Sequence, residues 1–241
     1  LNIFTERWQD HPDSKEKDAL PGRKTLLGFK PMSVDTTAGR LHVQVARTYA
    51  NDQRYLFAFK GTTELWLQLR RAIQQARKFI YMENQYFTSE DLAQALASAL
   101  PRLEHLTIVI QLASDMRSGF HKTKRCVDIL RSAGGSKVRV LTIPGDMLPR
   151  NYVHTKTWIF DDEVAIIGSA NATRRSLTCD SEVNAQIYDP SRADKAAWRF
   201  ARRLRVRLWS FLLNMNTPAG HAELADGVAS VVHWDNRPAG N

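Results

Sequence analysis

The order of periodicities between Phe79 and Ile143 restricts the fold of this chain more than any other feature. A β-rich run, Phe79 to Phe87, carries polar groups at Glu83, Asn84 and Gln85 towards its carboxyl side. It is followed by a helical run over Glu90 to Ala99, a strand over Leu106 to Leu112, a helix over Lys122 to Ala133, the breaker pair Gly134-Gly135 and a strand over Val138 to Ile143. Short β-branched and aromatic runs bounded by turn residues read as strands, and runs with an apolar residue every third or fourth place read as helices. Strands that alternate with helices predict an α/β domain with a mixed, largely parallel β-sheet flanked by helices. Such sheets place their sites at strand carboxyl ends, and the Glu83 to Gln85 segment sits at one.

Elements on either side extend this unit. Leu41 to Tyr49 alternates, with Leu41, Val43 and Val45 on one face and His42, Gln44 and Ala46 on the other, which predicts a strand. Thr62-Thr63 opens a helix whose stripe is Leu65, Leu69, Ala72, Ile73 and Ala76. Ser181 to Tyr188 alternates again, Val183, Ala185 and Ile187 against Glu182, Asn184 and Gln186. A basic amphipathic helix over Ser191 to Leu213 carries Trp198, Phe200, Leu204, Trp209 and Leu212 among arginines. Such a helix can lie on an anionic membrane, but packing on the sheet with its arginines in solvent explains the same pattern. Residues 41–215 thus form one unit. Residues 1–8 look like the end of a preceding helix, 9–40 are a polar, breaker-rich linker or surface loop, and 216–241 are a tail with little periodicity.

A chain of 241 residues, 43% hydrophobic, is long enough to bury a full core. Its net charge of +9 favours anionic partners: phosphorylated substrates, lipid surfaces or nucleic acid. Cys126 and Cys179 have no CxxC spacing, so neither a zinc site nor a redox pair is indicated. No apolar run is long enough for a transmembrane helix and no signal peptide is visible, so a soluble or peripheral protein is expected, with secretion left open. The chain begins at Leu1 and reads as a piece of a longer protein.

One stretch gathers reactive groups: His154-Thr155-Lys156-Thr157-Trp158-Ile159-Phe160-Asp161, followed by Gly168-Ser169-Ala170-Asn171. With Tyr152 to Phe160 and Val164 to Asn171 as paired strands, parity sends His154 and Lys156 to one face and Asp161 to the other. A two-residue loop at Asp162-Glu163 would pair Asp161 with Val164, Lys156 with Ser169 and His154 with Asn171. Gly168 leaves room for a close approach. A slip by one residue would dissolve this cluster. The patch suits a phosphate: Lys156 supplies charge, Ser169 and Asn171 supply donors, and His154 can attack phosphorus or move a proton. No metal or other cofactor is required. Taken singly, each residue has a structural explanation; it is their joint spacing that points to chemistry.

These residues resemble the signature of the phospholipase D superfamily, HxKxxxxD followed by a GSxN-type run. His154, Lys156 and Asp161 match the first part; Gly168, Ser169 and Asn171 match the second. Ile80-Tyr81-Met82-Glu83-Asn84-Gln85-Tyr86-Phe87 is similar to the IYIENQYF run of true phospholipases D, which marks Gln85 as a supporting residue. Val45-Ala46-Arg47-Thr48 resembles their V-x-R-T segment, and Phe200-Ala201 through Leu208-Trp209 their closing helix. The resemblance implies a two-step transfer at a phosphodiester through a phosphohistidine, with two motifs facing each other. His154 would be the general acid and base, and Lys156 and Asn171 would hold the phosphoryl oxygens. Glu182 would orient a catalytic histidine, and Asp161 would be structural.

A second HxKxxxxD is absent, while Phe4-Thr5-Glu6-Arg7-Trp8 resembles the F-x-x-R-W segment that follows a first motif. The chain therefore resembles the carboxyl-terminal half of a two-motif enzyme, with an amino-terminal half as its expected partner. The function this implies is hydrolysis of a glycerophospholipid at a membrane surface to phosphatidic acid and an alcohol. Nucleic acid, cut by a one-motif dimer, ranks behind lipid because such nucleases are compact. A phospholipid transferase of the same superfamily, or a silent half serving as a scaffold, complete the readings.

Overall fold

The structure, a computed structural model, describes residues 41–51, 58–111, 117–143, 153–190 and 199–236. The expected helix end at 1–8, the linker to residue 40 and the start of the basic helix at 191–198 lie outside the described residues. In chain order the strands are β1 (His42–Tyr49), β2 (Thr62–Thr63), β3 (Phe79–Asn84), β4 (His105–Gln111), β5 (Val138–Ile143), β6 (Lys156–Phe160), β7 (Val164–Gly168) and β8 (Glu182–Tyr188). The helices are α1 (Glu64–Gln75), α2 (Glu90–Ala97), α3 (Arg117–Gly134), α4 (Arg174–Thr178), α5 (Phe200–Leu212), α6 (Pro218–Glu223) and α7 (Val232–Asp235).

The strands make one mixed sheet in the order β2-β1-β8-β7-β6-β3-β4-β5. Every residue of β3, β4 and β6 is buried, which is why these strands read as nearly continuous apolar runs. Parallel pairing is narrower than expected. β3 pairs β4 and β4 pairs β5 in parallel, whereas β6, β7, β8, β1 and β2 join antiparallel. Parallel neighbours need a crossover, and the helices α2 and α3 lie in the two connections that produce them.

Strand parity divides the core into two layers. Ile80, Met82, Ile108, Trp158, Phe160 and Ile166 pack under α1, α2 and α3, which contribute Leu65, Leu69, Leu92, Leu96 and Leu130. On the opposite face Phe79, Tyr81, Val109, Ile159 and Ala165 meet Ala201 and Trp209 of α5. Leu224 and Trp234 belong to this second layer, so the carboxyl-terminal stretch read as a tail is part of the domain up to residue 236. Its short helices bury single anchors rather than a stripe, and hence show no period. Thr62 and Thr63 are another correction: they pair with Tyr49 and Thr48 as β2, and the helix begins only at Glu64 without a side-chain cap.

The β6–β7 hairpin differs from the expected register by one residue. Phe160 pairs with Val164 and Thr157 with Ile167. Asp161 and Asp162 take positive φ angles of 55° and 60°, and Glu163 N donates to Phe160 O at 2.9 Å. Two consecutive left-handed residues are the requirement of a type I′ turn, and short acidic side chains tolerate it. The carboxylate of Asp161 accepts from the backbone N–H groups of Arg77, Lys78 and Phe79 at 2.7, 2.8 and 2.9 Å. With Asp161 N donating in turn to Phe79 O at 3.1 Å, that cap ties the hairpin to the start of β3.

Candidate active site

The carboxyl end of β3 and the amino end of β6 meet, with Asn84 paired to Lys156, and Gln85 and His154 lie at this point with Lys156. Lys156 opens β6 on the face that Trp158 and Phe160 line, and only 9% of it is exposed. Its Nζ donates to Gln85 Oε1 at 3.0 Å and to the carbonyl oxygen of His154 at 2.8 Å. Burial pushes the ammonium's pKa down, while Glu182 pulls it up. His154 lies on the exposed segment leading into β6, and the N–H of Val153 before it is held by Gln111 Oε1 at 3.1 Å.

The Gly168 to Asn171 run is clamped by two buried asparagines. Asn184 Oδ1 accepts from Ala170 N at 3.3 Å, and Asn84 Oδ1 accepts from Ala172 N at 3.0 Å. A Cβ on Gly168 would stand 2.1 Å from Asn184 Oδ1, so any side chain there would displace the clamp. Asn171 has a buried Oδ1 without a partner among the described residues.

The expected facing set is not realised as drawn. Carrying the observed register one step beyond Thr157 and Ile167 sets Lys156 against Gly168 rather than Ser169. Ser169 instead donates its hydroxyl to the Glu182 carboxylate and accepts from Val183 N at 3.0 Å. Glu182, expected to orient a histidine, is thus bonded to Ser169. Asp161 sits at the far end of β6, in the turn, with its carboxylate on backbone groups.

One network was not anticipated. Glu83 projects to the face opposite Lys156 and accepts from Tyr81 Oη at 2.5 Å and from Thr155 Oγ1 at 3.0 Å. Burial raises its carboxyl pKa, and the two hydroxyls lower it by less. Thr155 stands between His154 and Lys156, so this carboxylate anchors the segment that carries both. The available signal was an acid in an otherwise apolar strand. What it bonds depends on a pairing 72 residues away.

A buried ammonium on a rigid strand end can hold an anionic oxygen, and an exposed histidine two residues before it offers a group able to exchange a proton. Among the described residues no group of three or more His, Cys, Asp or Glu could hold a metal ion. No described helix is long and apolar enough to cross a membrane.

The family model described as "Cardiolipin synthase, PLD-like domain" matches residues 69–204. Cardiolipin synthase of Staphylococcus aureus (strain Mu50) is 32% identical over 155 residues, covering 62% of this chain and 30% of that protein. The chain therefore spans under a third of the length of such relatives. Phospholipase D C of Dictyostelium discoideum is 46% identical over 74 residues, 27% of this chain and 4% of the relative. Among solved structures, the phospholipase D family member Nuc from Salmonella typhimurium superposes with a TM-score of 0.53 at 20% identity, covering 73% of this chain and 96% of Nuc. At that identity Nuc attests the fold alone. The family model spans more than half of the residues, including the His154 to Asn171 stretch and strands β3 to β8, and this chain belongs to the phospholipase D superfamily.

Proposed function

We propose that this chain supplies the second-motif half of an enzyme that transfers the phosphatidyl group of a glycerophospholipid to a hydroxyl acceptor, either water or an alcohol. The observation that carries this reading is the buried Lys156 ammonium, held between Gln85 and the backbone carbonyl of the exposed residue His154. Similarity to cardiolipin synthase over 62% of the chain supports lipid over nucleic acid. A histidine of the first motif, carried by an amino-terminal half, attacks phosphorus. His154 donates a proton to the departing alkoxide, then takes one from the acceptor hydroxyl as it attacks the phosphohistidine. Lys156 and Asn171 hold the non-bridging oxygens while charge builds, and Gln85 fixes the Lys156 ammonium. Glu182 and Ser169 brace the neighbouring strand end, and Asp161 stays structural.

The reading is tested by incubating the natural gene product with phosphatidylglycerol or phosphatidylcholine vesicles and, separately, with DNA. Headgroup release that is lost in His154→Ala supports it. With phosphatidylcholine vesicles, phosphatidylglycerol formed when glycerol is added identifies transfer; phosphatidic acid alone identifies hydrolysis. The second reading, a nucleic-acid phosphodiesterase built from two copies of the chain, is favoured by the net charge of +9 and would be established by DNA cleavage without lipid turnover.

A further inference from the structure

Next to Lys156 the sheet ends in a cavity of about 270 Å³ that the steps above leave unused. Phe87, Ile110, Val127 and Val140 wall it, and Phe120, which is 55% exposed, stands at the same wall. Gln85 lines the cavity and also accepts from Lys156 Nζ at 3.0 Å, so one side chain borders both the apolar space and the ammonium. The other lining glutamine, Gln111, has its Oε1 occupied by Val153 N, and its buried Nε2, without a partner among the described residues, is a polar exception in a mostly apolar wall. Lys124 and Asp128, also at the wall, pair with each other at 2.6 Å, which weakens their hold on any ligand charge.

Because Gln85 borders both the Lys156 ammonium and the cavity, a substituent of a phosphodiester bound at Lys156 has the cavity within reach past Gln85. A nucleic-acid strand would bring ribose hydroxyls or a further phosphate there, and apolar walls would strip both of water without replacing it. Methylene groups gain from the same walls. We infer that this cavity takes the first part of an acyl chain of the glycerophospholipid whose phosphate sits at Lys156. The inference rests on the lipid reading above and adds to it a named subsite. At roughly 30 Å³ per water-sized group the space holds on the order of nine such groups, so it admits part of a chain and no more.

Binding, rather than turnover, tests this. Calorimetry on the natural gene product would use glycerol phosphate and its acetyl, butyryl, hexanoyl, octanoyl and decanoyl esters below their micelle concentrations; these monoesters lack a headgroup to release. Affinity is expected to rise about threefold to fourfold per methylene and to level off near octanoyl. Val127→Trp, which fills the cavity, should remove that rise, and Phe120→Ala, at an exposed position that does not endanger folding, should blunt it. An unchanged rise in both variants would place the chain elsewhere and overturn the assignment. No rise, with vesicle lipid still turned over, overturns the subsite and leaves the lipid reading standing. No rise, no lipid turnover and cleaved DNA would overturn both.

Discussion

Glu83 and Lys156 are neighbours of opposite charge, buried on opposite faces of the sheet, and their energetics differ. The folded carboxyl of Glu83 titrates above its unfolded value because burial outweighs its two hydroxyl partners. Its contribution to folding is therefore neutral below the unfolded pKa, where both states are protonated, and unfavourable above the folded one. Glu83→Gln should leave the melting temperature at neutral pH equal or higher, yet lower turnover up to about tenfold by weakening the hold on Thr155, since a neutral amide oxygen accepts less strongly than a carboxylate. A lower melting temperature with unchanged turnover would make the network purely structural. Lys156→Met should reduce kcat by roughly 10²–10³, the cost of removing one group that stabilises developing charge, as read in the headgroup-release assay. At this scale the candidate set of His154, Lys156, Gly168, Ser169 and Asn171 was legible because its spacing is local, but the expected facing of Ser169 on Lys156 was not, because it depends on the turn. Tyr81, Glu83 and Thr155 were not, since their meeting depends on β3 lying beside β6.

The β6–β7 hairpin shows where local reasoning about an element stops. Alternation predicts that Asp161 is averted from Lys156; instead Asp161 is a left-handed turn residue, and the turn chemistry of Asp161 and Asp162 moves the register by one residue. The cap on three backbone N–H groups at the start of β3 is a long-range contact and left no local mark. Asp161→Ala leaves those donors unsatisfied and should cost about 1–3 kcal/mol, read as a lower urea midpoint with unchanged kcat in the folded fraction. Behind the same turn, Arg205 is fully buried, grips Asp162 at 2.6 and 2.8 Å and lies over the Trp209 ring. It also donates to the carbonyl oxygens of Leu224 and Ala225, joining α5 to the carboxyl-terminal stretch. Breaking a buried ion pair from one side strands the other charge. Asp162→Ala should therefore destabilise by about 3–5 kcal/mol, and urea denaturation measures it directly.

Across the whole molecule, the α/β class followed from alternating periodicities, whereas the balance of parallel and antiparallel pairing did not. The long connection between β5 and β6 does not announce that β6 returns antiparallel beside β3, nor does the β8 alternation announce that β1 is its neighbour. The second core layer has a pH signature. His105 is stacked on Phe79 at 4.9 Å between ring centroids, its Nε2 lies 2.9 Å from Gly227 O, and burial pushes its pKa down to about 4. Because the folded pKa lies below the unfolded one, protonation favours the unfolded chain: stability is full above about pH 6.5 and falls as pH drops towards 4. The loss attributable to His105 is on the order of 3 kcal/mol, and a His105→Gln variant should show a correspondingly flatter dependence of urea midpoint on pH. The central claim, that His154 protonates the leaving alcohol and then activates the acceptor, is tested most directly with a phosphatidyl ester of p-nitrophenol in the His154→Ala variant. This leaving group departs without a proton, so the account predicts a burst of about one nitrophenol per enzyme, followed by a stalled covalent phosphatidyl-enzyme visible in the intact mass. Steady turnover by His154→Ala, with neither burst nor adduct, would contradict it.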